Sequence, residues 1–137
     1  MGGSVNIYAV LVCAIANIVI GSIWYGPLFG SAWTKDAGLT PKQLKKNKQK
    51  GMAKSYIMAF IGALVMAYML SLFIYYTRAS TVLLGMQIAF WAWLGFIATV
   101  LMGMVLWEGK PLRLFMINAF HYLIVMLVMG IIITAWP

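Results

Sequence analysis

AKSYIMAFIGALVMAYMLSLFIYY, the run from Ala53 to Tyr76, carries one charged side chain, Lys54, a single residue from its start. A helix needs about 20 consecutive apolar residues to cross the hydrocarbon of a bilayer, and this run meets that length without proline or a second charge. Working outward, three more runs of the same kind flank it: Val5–Tyr25, Thr81–Trp107 and Leu112–Trp136. The reading is an all-α membrane protein of four transmembrane helices, with residues 1–137 as one transmembrane domain. Composition agrees. The 137 residues are 64% hydrophobic and 9% charged, against about 45–50% and about 25% in soluble domains. Aromatic rings mark the ends of the runs at Trp24, Tyr25 and Trp33, at Tyr75 and Tyr76, at Trp107 and at Trp136, as amphipathic rings do at the headgroup level.

The formal net charge of +8 is unevenly placed. The loop after helix one holds Lys35, Lys42, Lys45, Lys46, Lys48 and Lys50, and the third connection holds Lys110, followed by Arg113. The second has only Arg78. Basic loops stay on the cytoplasmic side, so the first and third loops are expected in the cytoplasm and both termini outside. The lysines read as a solvated loop facing anionic lipid headgroups, not as a nucleic-acid patch. Residues Met1 to Asn6 carry no positive charge ahead of the apolar stretch, so helix one reads as retained and not as a secretory signal. Cys13 is the only cysteine, so no disulfide forms within the chain.

The first loop, about residues 34–52, has its own organisation. Pro27 ends or kinks helix one, and the stretch Leu28 to Trp33 is apolar enough to lie along the interface. A short basic cytosolic helix comes next. Thr40 suits its N-cap, Pro41 its first position, and Gln43 completes a capping box. Leu39 and Leu44 sit at the staple positions. The helix is expected to reach about Lys50, before Gly51.

Helices in lipid associate by close backbone approach, so small residues mark their contact faces. Helix two carries Ser55, Ala59, Ala63, Ala67 and Ser71 at strict four-residue spacing. Helix three offers Gly95, Thr99 and Gly103, and helix one offers Ala9, Cys13, Asn17 and Gly21. Such faces serve one bundle or a homo-oligomer; the small volume enclosed by four helices favours the latter.

Polar groups inside the hydrocarbon point to function because each is costly without a partner. Asn6, Cys13, Asn17 and Trp24 share a face of helix one; Asn118, His121 and Tyr122 lie on helix four. Asn17, Thr99 and His121 each stand eight residues from the cytoplasmic end of their run, about 12 Å deep at 1.5 Å per residue. This predicts a polar layer of Asn17, Thr99, Asn118, His121 and Tyr122 lining a path for an ion or solute. The bland alternative is that these groups are interhelical hydrogen-bond glue. His121, the only histidine, could also relay protons or sense pH. One histidine per chain makes a metal site only at an oligomer axis, and the eleven methionines read as gap-fillers. Asp36 and Glu108, the only carboxylates, sit in loops, so no catalytic set, cofactor or metal is expected.

The segment Trp24-Tyr25-Gly26-Pro27-Leu28-Phe29-Gly30-Ser31-Ala32-Trp33, with Asn6 near the start and His121 late in the chain, resembles the bacterial membrane family catalogued as domain of unknown function 1761. The resemblance covers the whole chain and implies this architecture in a bacterial inner membrane; it carries no activity. Small multidrug exporters, with a carboxylate in helix one, and small fluoride channels, with weak charge bias, fit less well. Three functions stay in play: an oligomeric channel or carrier, a scaffold acting through small-residue faces and the basic loop, and an enzyme on a lipid or quinone.

Overall fold

The computed structural model describes residues 5–49 and 51–137. Lys50, where the basic helix is expected to end, lies outside the described residues, as do Met1 to Ser4. Helix α1 (Ile7–Leu28), α4 (Ala53–Tyr76), α5 (Val82–Leu106) and α6 (Leu112–Ala135) are each long and apolar enough to cross a membrane. Two short helices, α2 (Gly30–Asp36) and α3 (Pro41–Gln49), lie between α1 and α4. The described residues form no strand. Ile7, Leu83, Phe96 and Val100 are among many large apolar side chains exposed on the outer faces, a surface suited to lipid and not to water. The chain is a multi-pass membrane protein.

The ends of these helices come from local chemistry. Asn6 caps α1, its side chain accepting from the amides of Tyr8 at 3.0 Å and Ala9 at 3.3 Å. Thr81 caps α5 by accepting from Leu84 N at 3.1 Å. At α3 the capping box closes in both directions: Thr40 N donates to Gln43 Oε1 at 2.8 Å, and Gln43 N donates to Thr40 Oγ1 at 3.2 Å. The last turn of α1, Trp24–Leu28, is a π-turn containing Pro27. Proline has no amide to continue the ladder, and the chain answers with a wider turn in which Phe29 N donates to Trp24 O at 2.8 Å.

Helix α6 is the hub. It packs along α5 on one side and α1 on another, while α4 packs against α1. Helices α5 and α6 cross closely at Gly85 and Gly130. A Cβ on Gly130 would stand 2.7 Å from Gly85 O, and one on Gly85 would stand 2.9 Å from Gly130 O. Of the small-residue series on α4, Ala63, Ala67 and Ser71 are buried, whereas Ser55 and Ala59 are exposed. Beyond its π-turn the chain leaves α1 and runs through α2 against α6. Residues 53–59, the first two turns of α4, are exposed.

Candidate functional site

Helices α1 and α6 run antiparallel along one polar seam. Asn6 Nδ2 donates to Trp136 O at 3.1 Å, and the Cys13 thiol points at Met129 O, 3.8 Å away. A Cβ on Gly21 would stand 3.6 Å from His121 Nε2. Trp24 Nε1 donates to Ile117 O at 3.0 Å, and the Tyr25 hydroxyl donates to Asn118 Oδ1 at 2.7 Å. Asn17 lies one turn before Gly21 on the same face, between the level where Gly21 meets His121 and the level where Cys13 meets Met129.

His121 is the centre of an aromatic niche. It is 5% exposed, and its ring centroid lies 4.7 Å from that of Tyr122, 4.9 Å from Tyr25 and 6.2 Å from Trp24. Phe29 packs behind Trp24 at 4.6 Å, and Trp33 meets Tyr25 edge-on at 5.6 Å. Trp24 and Tyr25 of this stretch thus stand against the histidine, and Phe29 and Trp33 pack behind them. Gly30 permits this packing, because a Cβ there would stand 2.6 Å from Tyr25 O.

Among the described residues three buried side-chain polar atoms have no hydrogen-bond partner: His121 Nδ1 and His121 Nε2 within this shell, and Asn17 Oδ1 on α1. The surrounding groups are satisfied. Asn118 accepts from Tyr25 and its amide approaches Met104 Sδ at 3.7 Å. Trp93 Nε1 of α5 donates to Ala119 O of α6 at 2.7 Å.

Of the residues expected to form one polar layer, the structure brings Asn118, His121 and Tyr122 around Tyr25, with Asn17 one turn away along the α1 face. It does not bring Thr99 to them. Thr99 is exposed, and its hydroxyl turns back onto Gly95 O of its own helix at 2.8 Å. A π-turn at Leu94–Ala98 precedes it. Each residue inserted into a helix rotates the remainder of that helix by about 100°, so counting along a regular helix misplaces the Thr99 face. Trp24 and Tyr25 enter the site as walls, a role that reading them as membrane-interface anchors misses. Their spacing from Asn17, seven and eight residues, was the available signal.

The mouth of this end is held by an ion pair. Arg113 Nε donates to Asp36 Oδ2 at 2.6 Å and its Nη2 to Asp36 Oδ1 at 2.7 Å, clipping α2 to the start of α6. The hydrogen bond from Arg113, then its charge and that of Lys35, hold the Asp36 carboxyl below its usual range. Lys110 Nζ adds a contact to Ala37 O at 3.4 Å.

The family model described as Protein of unknown function (DUF1761) matches residues 8–134. No curated protein and no solved structure shows a significant match.

Proposed function

The chain belongs to the DUF1761 family, proteins of unknown function, and from the geometry of its histidine niche we propose that it is a carrier for a small, neutral, hydrogen-bonding solute. The observation that supports this reading is the set of unpartnered atoms on His121 and Asn17. A buried polar atom left unsatisfied costs about 1–3 kcal/mol, and polar side chains kept inside a membrane mark substrate pathways. A neutral imidazole offers one donor and one acceptor, and the Asn17 carbonyl oxygen adds a further acceptor one turn away on the α1 face, a set suited to a solute that both donates and accepts. Neither carboxylate of the chain, Asp36 or Glu108, lies within a spanning helix, so the niche supplies no countercharge for a cation. Two surface clefts lie away from the His121 ring, which is buried. In this reading the solute enters when the Trp24–Trp33 cover moves, and the π-turn there is the kind of irregularity that recurs at functional sites.

In this reading the basic loop faces the cytoplasm of a bacterial inner membrane, both termini face outward, and the lysines of α3 rest on anionic headgroups. A second reading, a scaffold or homo-oligomer, draws on the uncovered Ser55 and Ala59 of α4. Flux of glycerol, urea, protons and monovalent cations into proteoliposomes, measured between about pH 5 and 8, tests the carrier. Saturable uptake of a neutral solute is expected, abolished by His121→Ala. Asn17→Leu should cut it at least tenfold while raising the melting temperature, because an unpartnered carbonyl leaves the core. Absence of flux from folded wild-type protein, or flux indifferent to both substitutions, overturns the carrier in favour of the scaffold.

A further inference from the structure

At the end of the bundle opposite the basic loop, a cleft of about 500 Å³ opens between α1, α4 and α6. That volume falls within the range of about 300–1,000 Å³ typical of small-molecule sites. Ala9, Ile74 and Ile133 form its apolar walls, with Tyr75 and Trp136 beside its opening. Ser71, one of its buried lining residues, lies seven residues before Arg78, a depth of about 10 Å at 1.5 Å per residue. Aromatic residues of this kind sit at the headgroup level of a bilayer, so the cleft runs from that level down into the hydrocarbon.

Arg78 stands on its rim, and its backbone conformation is unusual. It has φ +57°, the one non-glycine residue with positive φ among those described. It occupies the position just past the cap of α4, where Arg78 N donates to Tyr75 O and Ala79 N to Ile74 O, both at 3.1 Å. These two bonds make a Schellman ending, whose left-handed residue is usually glycine. Among the described residues the only ion pair is that of Asp36 with Arg113, at the other end, and Arg78, which lines the cleft, is in none. A side chain held where glycine fits better is a pointer to function.

We infer that this cleft binds a single-chain anionic amphiphile, a free long-chain fatty acid, with its carboxylate on Arg78 and its tail along Ile74, Ala9 and Ile133. The charge at the rim selects the head, and the apolar, membrane-level depth selects the tail. The site is separate from the histidine niche and does not rest on the carrier reading.

Binding of tritiated palmitate and of tritiated hexadecanol to the full chain in zwitterionic-lipid nanodiscs tests this. Palmitate should bind saturably and about tenfold more tightly than the alcohol, the difference of one charge-assisted hydrogen-bond set. Arg78→Gly should remove that preference while keeping or raising the melting temperature, since glycine relaxes the αL turn; Arg78→Lys should retain it. Ser80→Trp, at the exposed mouth, should weaken both ligands, and His121→Ala should change neither. The inference is overturned by absence of saturable binding, by an unchanged palmitate preference in Arg78→Gly, or by loss of binding in His121→Ala. Full competition by added phosphatidylglycerol would also overturn it, by making the occupant a phospholipid.

Discussion

Asp36 and Arg113 sit where an unpaired charge would do most harm. Arg113 is the second residue of α6, and a cation at a helix N-terminus opposes the helix dipole. The bidentate carboxylate of Asp36 reverses that and also fastens α2 beside the cover of the niche. Asp36 is 9% exposed as a side chain and Arg113 is 55% exposed, so the pair is anchored on its acid side. Because the folded protein holds the Asp36 carboxyl below its usual range, the folded state binds the proton less readily than the unfolded chain. The pair's contribution is fully present above the unfolded carboxylate value of about 3.9 and is lost as pH falls through the folded one. Melting curves of the detergent-purified protein from about pH 6 down to about pH 3 should show wild type above Asp36→Asn at the upper end, with the two converging at the lower. A gap that stays constant across that window would mean that packing, not charge, is what Asp36 provides.

Among the elements, the α5–α6 crossing sets the geometry that the seam with α1 depends on. Gly130→Ala places a methyl group against the Gly85 backbone at 2.7 Å and the Ala89 side chain at 3.2 Å; neither backbone can yield without separating the helices. The expected cost is about 1–3 kcal/mol, the usual range for overpacking a closed core, read as a lower melting temperature with intact helicity. Gly130→Ala that melts like wild type would show the two helices free to part. This crossing was not legible in the sequence, because a lone glycine on each of two helices forms no repeat. The spans were legible, since length and apolarity suffice for them, and so was the α3 start, since its cap is local and reciprocal. The Asn6–Cys13–Asn17–Trp24 face could be drawn along a regular helix. The Thr99 face could not, because the π-turn at Leu94–Ala98 shifts the register within α5. Nor could Ser55 and Ala59 be told from Ala63 and Ala67, since that depends on where α1 stops accompanying α4.

For the whole molecule, charge decides which way up the bundle sits, and with it what each site meets. Nine of the ten basic residues lie in or beside the first and third loops and Arg78 stands alone at the far end. Lysine and arginine bias of this kind predicts a single insertion orientation. Reversal would carry the lysine-rich first loop across the bilayer. Single cysteines at Lys46→Cys and Ser80→Cys report on this directly, because native Cys13 is fully buried and silent. In intact spheroplasts a membrane-impermeant maleimide should label Ser80→Cys and spare Lys46→Cys until the membrane is permeabilised. Equal labelling of both would mean dual insertion. The opposite pattern would put the Arg78 cleft in the cytoplasmic leaflet and the histidine niche in the outer half, reversing the side from which each ligand arrives. With the expected pattern, the niche cover and the Asp36–Arg113 clip face the cytosol, and a fatty acid bound at the proposed Arg78 site would enter from the outer leaflet.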